Sequence, residues 1–123
     1  MARTALSLLP GELQAYRPAR EPDNRQLQER LGKAWEVARR AAHLLRERFG
    51  ATHVVVFGSL AHGAWFSPWS DIDLAAWGIP AGQFYRAVAA ITGFSADFEV
   101  NLVDPEDCRP TVRQAIEREG ISL

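Results

Sequence analysis

The chain has one cysteine, one lysine, no long apolar run and almost no charge imbalance, and each scarcity excludes something. Cys108 has no second thiol to pair with, so an internal disulfide is ruled out and a reducing compartment fits. His43 and His53 lack the spacing and companions of a zinc site. No stretch approaches the roughly 20 apolar residues that span a bilayer, and Met1 to Pro10 lacks the pattern of a signal peptide. The expectation is a soluble, cytoplasmic protein without membrane attachment. Fourteen basic residues face fifteen acidic ones, for a formal net charge of -1. The basic excess that drives non-specific binding to nucleic acid is missing, so nucleic acid is not the expected partner. Every basic residue except Lys33 is arginine. Arginine suits phosphate forks, although a GC-rich genome produces the same bias.

What is present is ordinary globular material: 123 residues, 47% of them hydrophobic, enough for one packed domain without staples. Met1 to Asn24 carries Pro10, Gly11, Pro18 and Pro22 and reads as an irregular arm, with one helical turn at Leu6 to Leu9. Its apolar residues (Leu6, Leu8, Leu9, Leu13, Tyr16) suit packing onto the domain or onto a partner, and the sequence leaves both open. Residues 25–123 form the expected domain. Leu27, Leu31, Ala34, Trp35, Ala38, Ala41, Ala42, Leu45 and Phe49 recur at steps of three and four, predicting a helix from Arg25 to Phe49. Asp23 or Asn24 is placed to cap it, Gly50 to end it, and Gly32 to mark close packing. The β-branched run at His53 to Phe57 predicts a buried strand. Gly58 and Ser59 break it into a tight turn and a short helix, and a loop with Pro68 follows. Strands are expected at Asp71 to Ala76 and Phe98 to Val103, with helices at Ala81 to Ile91 and Thr111 to Glu119. That order gives a small α/β or α+β fold, a short mixed β-sheet flanked by helices.

The segment Gly58 to Leu74, GSLAHGAWFSPWSDIDL, carries the chemistry. Residues two apart on a strand share a face, so Asp71 and Asp73 project together. Two carboxylates that close repel unless a cation sits between them, and Mg²⁺ favours carboxylates joined by phosphate oxygens. A Gly-Ser turn directly after a strand lets backbone and hydroxyl approach a phosphate. Either element alone is common. A strand, a Gly-Ser turn and, a dozen residues on, Ser-Asp-x-Asp-Leu on a second strand form a specific arrangement.

Those residues resemble the signature of the DNA polymerase β-like nucleotidyltransferases, in the minimal form found in prokaryotic toxin–antitoxin pairs. It stands here as Gly58-Ser59, Ala61, Gly63 and Ser70-Asp71-Ile72-Asp73-Leu74, and the resemblance runs from roughly Leu27 to Gly120. It implies a Mg²⁺-dependent nucleotidyltransferase that uses ATP or another nucleoside triphosphate and moves AMP to a protein hydroxyl. It also implies a HEPN-type toxin as partner, alongside any self-association. Asp71 and Asp73 are then the catalytic metal ligands, and Gly58, Ser59, His62 and Ser70 the nucleotide contacts.

The chain departs from that pattern at three positions. Leu60 and His62 stand where long polar or arginine side chains are common, which weakens the grip on a triphosphate. The third carboxylate, normally in a pattern like Val-Asp-Leu-Val-Asp, is replaced in Val100-Asn101-Leu102-Val103-Asp104. Asn101 takes the metal-ligand place as a neutral amide that cannot act as a base. Glu99, two residues earlier on the same face, is either a surrogate ligand or, as the preferred reading, a plain exposed carboxylate, and Asp104 is one register out. Trp65, Phe66 and Trp69 flank the site, where base stacking is matched by covering a core edge or a partner contact. The alternative reading is a catalytically weak or inactive nucleotidyltransferase-like module that neutralises its partner by complex formation.

Overall fold

A computed structural model describes residues 24–63, 66–67 and 70–123. The arm ahead of Asn24, with its expected helical turn and the Asp23 cap, lies outside the described residues, as do Trp65, Pro68 and Trp69. The chain opens with helix α1 (Asn24–Phe49), whose stripe of Ala34, Ala38, Ala41, Ala42 and Leu45 is buried. Alanines on that face let the helix lie close to a sheet. Gly50 ends α1 at φ 77°, a backbone that other residues adopt only under strain, and the Ala51 amide reaches back to the Leu45 carbonyl at 3.1 Å.

Strand β1 (His53–Phe57) and strand β2 (Ile72–Trp77) pair antiparallel, with the one-turn helix α2 (Ser59–His62) between them. Helix α3 (Ala81–Thr92) then carries the chain to strand β3 (Val100–Val103), parallel to β2. Helix α4 (Pro110–Glu119) follows, and a two-residue strand β4 (Ile121–Ser122) pairs antiparallel with β1. The order across the sheet is β3-β2-β1-β4. This is the expected α+β architecture with a mixed sheet. Among the described residues, no helix is long and apolar enough to cross a membrane.

Alternation along the strands divides the interior in two. Val54, Val56, Ile72, Leu74 and Val100 face α1 and α3 in the main core. Val55, Phe57 and Ala75 face α4 through Ile116 in a smaller one. The three consecutive valines are therefore buried on both faces, which explains why β1 reads as an unbroken apolar run. The sequence missed β4, because two residues behind Gly120 carry no readable period. It also misread Gly32, which is exposed on α1 with no atom near the place of a Cβ.

Two substitutions separate these environments. Leu74→Ala, at a fully buried side chain, is expected to cost about 2–5 kcal/mol in urea unfolding. Gly32→Ala is expected to add about 0.5–1 kcal/mol, since it meets open space and a better helix former.

Candidate functional site

The site forms where β1 gives way to Gly58. That glycine holds φ 76° and ψ -146°, and a Cβ there would stand 2.7 Å from Oδ2 of Asp73. Both the backbone angle and the close approach require glycine. The register explains the meeting, because Phe57 lies opposite Asp73 across the β1–β2 pair. Helix α2 is pinned by the His62 amide on the Gly58 carbonyl (3.1 Å) and the Gly63 amide on the Ser59 carbonyl (2.9 Å). Leu60 is fully buried in the main core. Its place in the signature is thus a packing position in this chain, and an apolar side chain there closes the core under the turn.

Ser70 shapes the entrance to β2. Its hydroxyl accepts the Ser67 amide at 2.8 Å and lies 3.1 Å from the Ser67 hydroxyl, while its own amide meets the Ser67 carbonyl at 3.0 Å. Those bonds close a small loop directly before Asp71. Asp71 and Asp73 flank buried Ile72, so both carboxylates emerge on the α4 side of the sheet, beyond the residues that α4 covers.

The β2–β3 register sets Asn101 beside Asp73. The Asn101 side-chain amide donates to Asp73 Oδ1 at 3.2 Å and to Asp71 Oδ2 at 3.4 Å. One neutral NH₂ group thus spans both acids. The Asp73 carboxyl is held above its ordinary range, chiefly because burial disfavours its charge; the Asn101 hydrogen bond pulls it down, and neighbouring Asp71 pushes it up.

The other expected residues fall differently. Among the described residues, no three carboxylate, histidine or cysteine side chains gather as a metal site. Glu99 therefore does not complete the pair with its exposed carboxylate, and only its backbone carbonyl engages β2, accepting the Ile72 amide at 2.9 Å. Asp104 opens the loop after β3, its Oδ1 receiving the Glu106 amide at 2.9 Å. His62 lies with Nε2 3.1 Å from Glu119 Oε2, near the end of α4. Glu119 had no signal in the sequence, since 57 positions separate the two residues (119 − 62) and no motif links them. Phe66 packs against the main core and against Phe98, so of the aromatics near the turn it serves as a core edge. Trp77 stacks on His53 at 4.9 Å, and Trp35 packs against the main core.

The donor set fits one Mg²⁺. Burial chiefly, and the nearness of Asp71 in smaller part, lift Asp73; a cation offsets both, and Mg²⁺ accepts one or two carboxylates with phosphate oxygens filling the remaining positions. Asn101 offers its carbonyl oxygen to such an ion only after a half-turn of its amide, which at present aims the NH₂ at the acids.

No family model matches the chain, and no curated protein does either. Solved structures do. A toxin–antitoxin structure with AMP-PNP matches at 21% identity, covering 69% of this chain and 70% of its own, with a TM-score of 0.55. The toxin–antitoxin MntA-HpeT, in a mutant with two Asp→Glu changes two positions apart, matches at 18% identity with the same coverage and TM-score. A third match, to a protein described provisionally as a minimal nucleotidyltransferase, covers 85% of this chain and 99% of its own at 27% identity and a TM-score of 0.46. The first two establish the architecture: this chain has the small nucleotidyltransferase fold.

A carboxyl raised on folding makes the folded state bind protons more readily than the unfolded chain. Its stability penalty is therefore full above the folded pKa and absent below the unfolded one. Asp73→Asn, which keeps a carbonyl for the Asn101 amide, is expected to raise the metal-free melting temperature at pH 7. The gain should vanish as pH falls below about 4, the ordinary aspartate range. Melting curves across that interval check it, and a pH-independent gain would contradict the assignment.

Proposed function

We propose that this chain is a minimal nucleotidyltransferase acting as the antitoxin of a HEPN/MNT toxin–antitoxin pair, transferring AMP from ATP to a hydroxyl on its cytoplasmic toxin partner. The observation that carries the reading is the Asp71–Asp73 pair set against the Gly58 turn, with no room between Asp73 and that glycine for any side chain. The likeness in fold to two toxin–antitoxin structures, one with AMP-PNP, supports it.

In this reading Asp71, Asp73 and the carbonyl oxygen of Asn101 hold Mg²⁺. The ion supplies charge neutralisation for the triphosphate and for departing pyrophosphate. The Gly58–Ser59 turn approaches the phosphates, and His62 donates to them when it leaves Glu119. The Ser67–Ser70 loop fixes the angle at which Asp71 enters. The acceptor hydroxyl oxygen attacks the α-phosphorus, a P–O bond forms, and the bond to the pyrophosphate oxygen breaks. Asn101 takes no proton in that step, because a neutral amide has no basic lone pair to offer. The hydroxyl proton passes to solvent, and the chain forgoes the roughly 10²–10⁴-fold that a placed base contributes.

One observation favours a second reading. The Asn101 amide already donates to both carboxylates, doing without charge part of what a cation would do. A chain settled in that state neutralises its partner by complex formation alone.

The deciding experiment supplies Mg²⁺ and ATP labelled at the α-phosphate, with and without any HEPN-like helical protein encoded next to this chain. Label on that protein, lost in Asp73→Ala, is the expected outcome. A stable complex without label establishes the binding reading instead. Asn101→Asp restores a carboxylate beside the pair and is expected to raise the transfer rate by about tenfold or more. It should also lower the metal-free melting temperature at neutral pH, since it adds a third negative charge.

A further inference from the structure

Two sets of residues enter the site from outside: Phe66, Ser67 and Ser70 stand ahead of Asp71, and residues 95–99 lead into β3 and Asn101. They meet at one side chain. Phe98 is 4% exposed, and its ring lies 6.2 Å from that of Phe66 at a tilt of 43°. The Arg30 guanidinium, reaching in from α1, stands over the same ring, 4.3 Å from its centre. Arg30 Nη2 also donates to the Asp97 carbonyl at 3.2 Å. The Ser95 hydroxyl accepts the Asp97 and Phe98 amides at 3.1 and 3.2 Å, making a short turn whose open side Arg30 closes. The next residue, Glu99, passes its carbonyl to Ile72 between the two aspartates.

We propose that Arg30 is a positioning residue for this site: stacked on Phe98 and bonded to the Asp97 carbonyl, it fixes the approach of β3 so that the Asn101 amide meets both Asp71 and Asp73. The guanidinium is suited to this because a plane can stack on a ring while its edge donates a hydrogen bond, which a lysine ammonium does less well. Packing alone does not account for the choice. Arg30 Nε is buried and, among the described residues, has no hydrogen-bond partner. An aliphatic side chain such as methionine would fill the space over Phe98 without that cost. What methionine lacks is the bond to the backbone of the segment that delivers Asn101. The bonds from Asn101 are long, at 3.2 and 3.4 Å, so a small shift of β3 is enough to break one of them. Groups bonded directly to a metal ligand alter metal affinity by about 10–100-fold when removed, and Arg30, one contact further out, belongs at the low end of that range.

The test uses the full chain and three variants, Arg30→Met, Arg30→Lys and Phe98→Leu. The side-chain NH₂ resonances of Asn101, assigned by their loss in Asn101→Ala, report its contacts directly. In folded Arg30→Met and Phe98→Leu they are expected to move to free-amide positions and to lose protection from exchange. Arg30→Lys, which keeps a cation over the ring, is expected to recover part of the shift. Unchanged Asn101 resonances in a folded Arg30→Met protein would falsify the proposal, whatever the change in melting temperature. Where Arg30→Met does not fold, unchanged resonances in folded Phe98→Leu overturn it in the same way. A second readout, the Mg²⁺ concentration that raises the melting temperature halfway, rests on the metal-binding reading above. It is expected to rise by about tenfold in Arg30→Met. A wild-type chain that shows no Mg²⁺ response overturns the metal reading and leaves the Asn101 resonances as the test of Arg30.

Discussion

The contact between Gly58 and the carboxylate of Asp73 is the constraint around which the site is arranged. A carboxylate lodged against a turn at φ 76° has lost part of its water on one side and has Asp71 for a near neighbour. It therefore needs a donor, and the parallel pairing of β2 with β3 brings one, Asn101. The rest of the local structure serves that meeting. The Ser67–Ser70 loop sets where Asp71 begins, Leu60 seals the core below the turn, and α4 covers the sheet only as far as Ile116 and its neighbours.

Asn101 gives the arrangement its character. A carboxylate in its place would put three like charges in one small space and make the site dependent on a cation at neutral pH. The amide instead donates to both acids and makes the pair self-consistent, at some loss of cation affinity and of any proton-accepting role.

Much of this was legible in the sequence, for identifiable reasons. The long stripe of α1, the valine run of β1 and the alternation of β2 are strong periodic signals, and all three elements formed where their periods placed them. The aspartate pair was legible because strand geometry alone puts residues 71 and 73 on one face. Register was not legible. Whether Asn101 or Glu99 would stand beside the aspartates depends on how β3 pairs, since the two share a face and a two-residue shift in register would exchange them. The His62–Glu119 pair and the Arg30–Phe98 stack were hidden for a related reason, since each joins elements far apart in the chain through no repeating pattern. Gly32 shows the opposite error: a glycine in a helix suggests close packing, but this one faces solvent. The two-residue β4 was too short to carry any period.

The alternation of β2 has a consequence for how this protein can change over generations. Ile72, Leu74 and Ala76 turn toward the core of α1 and α3, while Asp71 and Asp73 turn away from it. One strand therefore holds two sets of residues that selection can act on almost separately, because substitutions without shared partners tend to add. A lineage can trade acids for amides on the open side, gaining or shedding chemistry, without disturbing the interior that keeps it folded. A site lost in that way leaves an intact scaffold, and a scaffold that persists without its chemistry is free to be kept for binding.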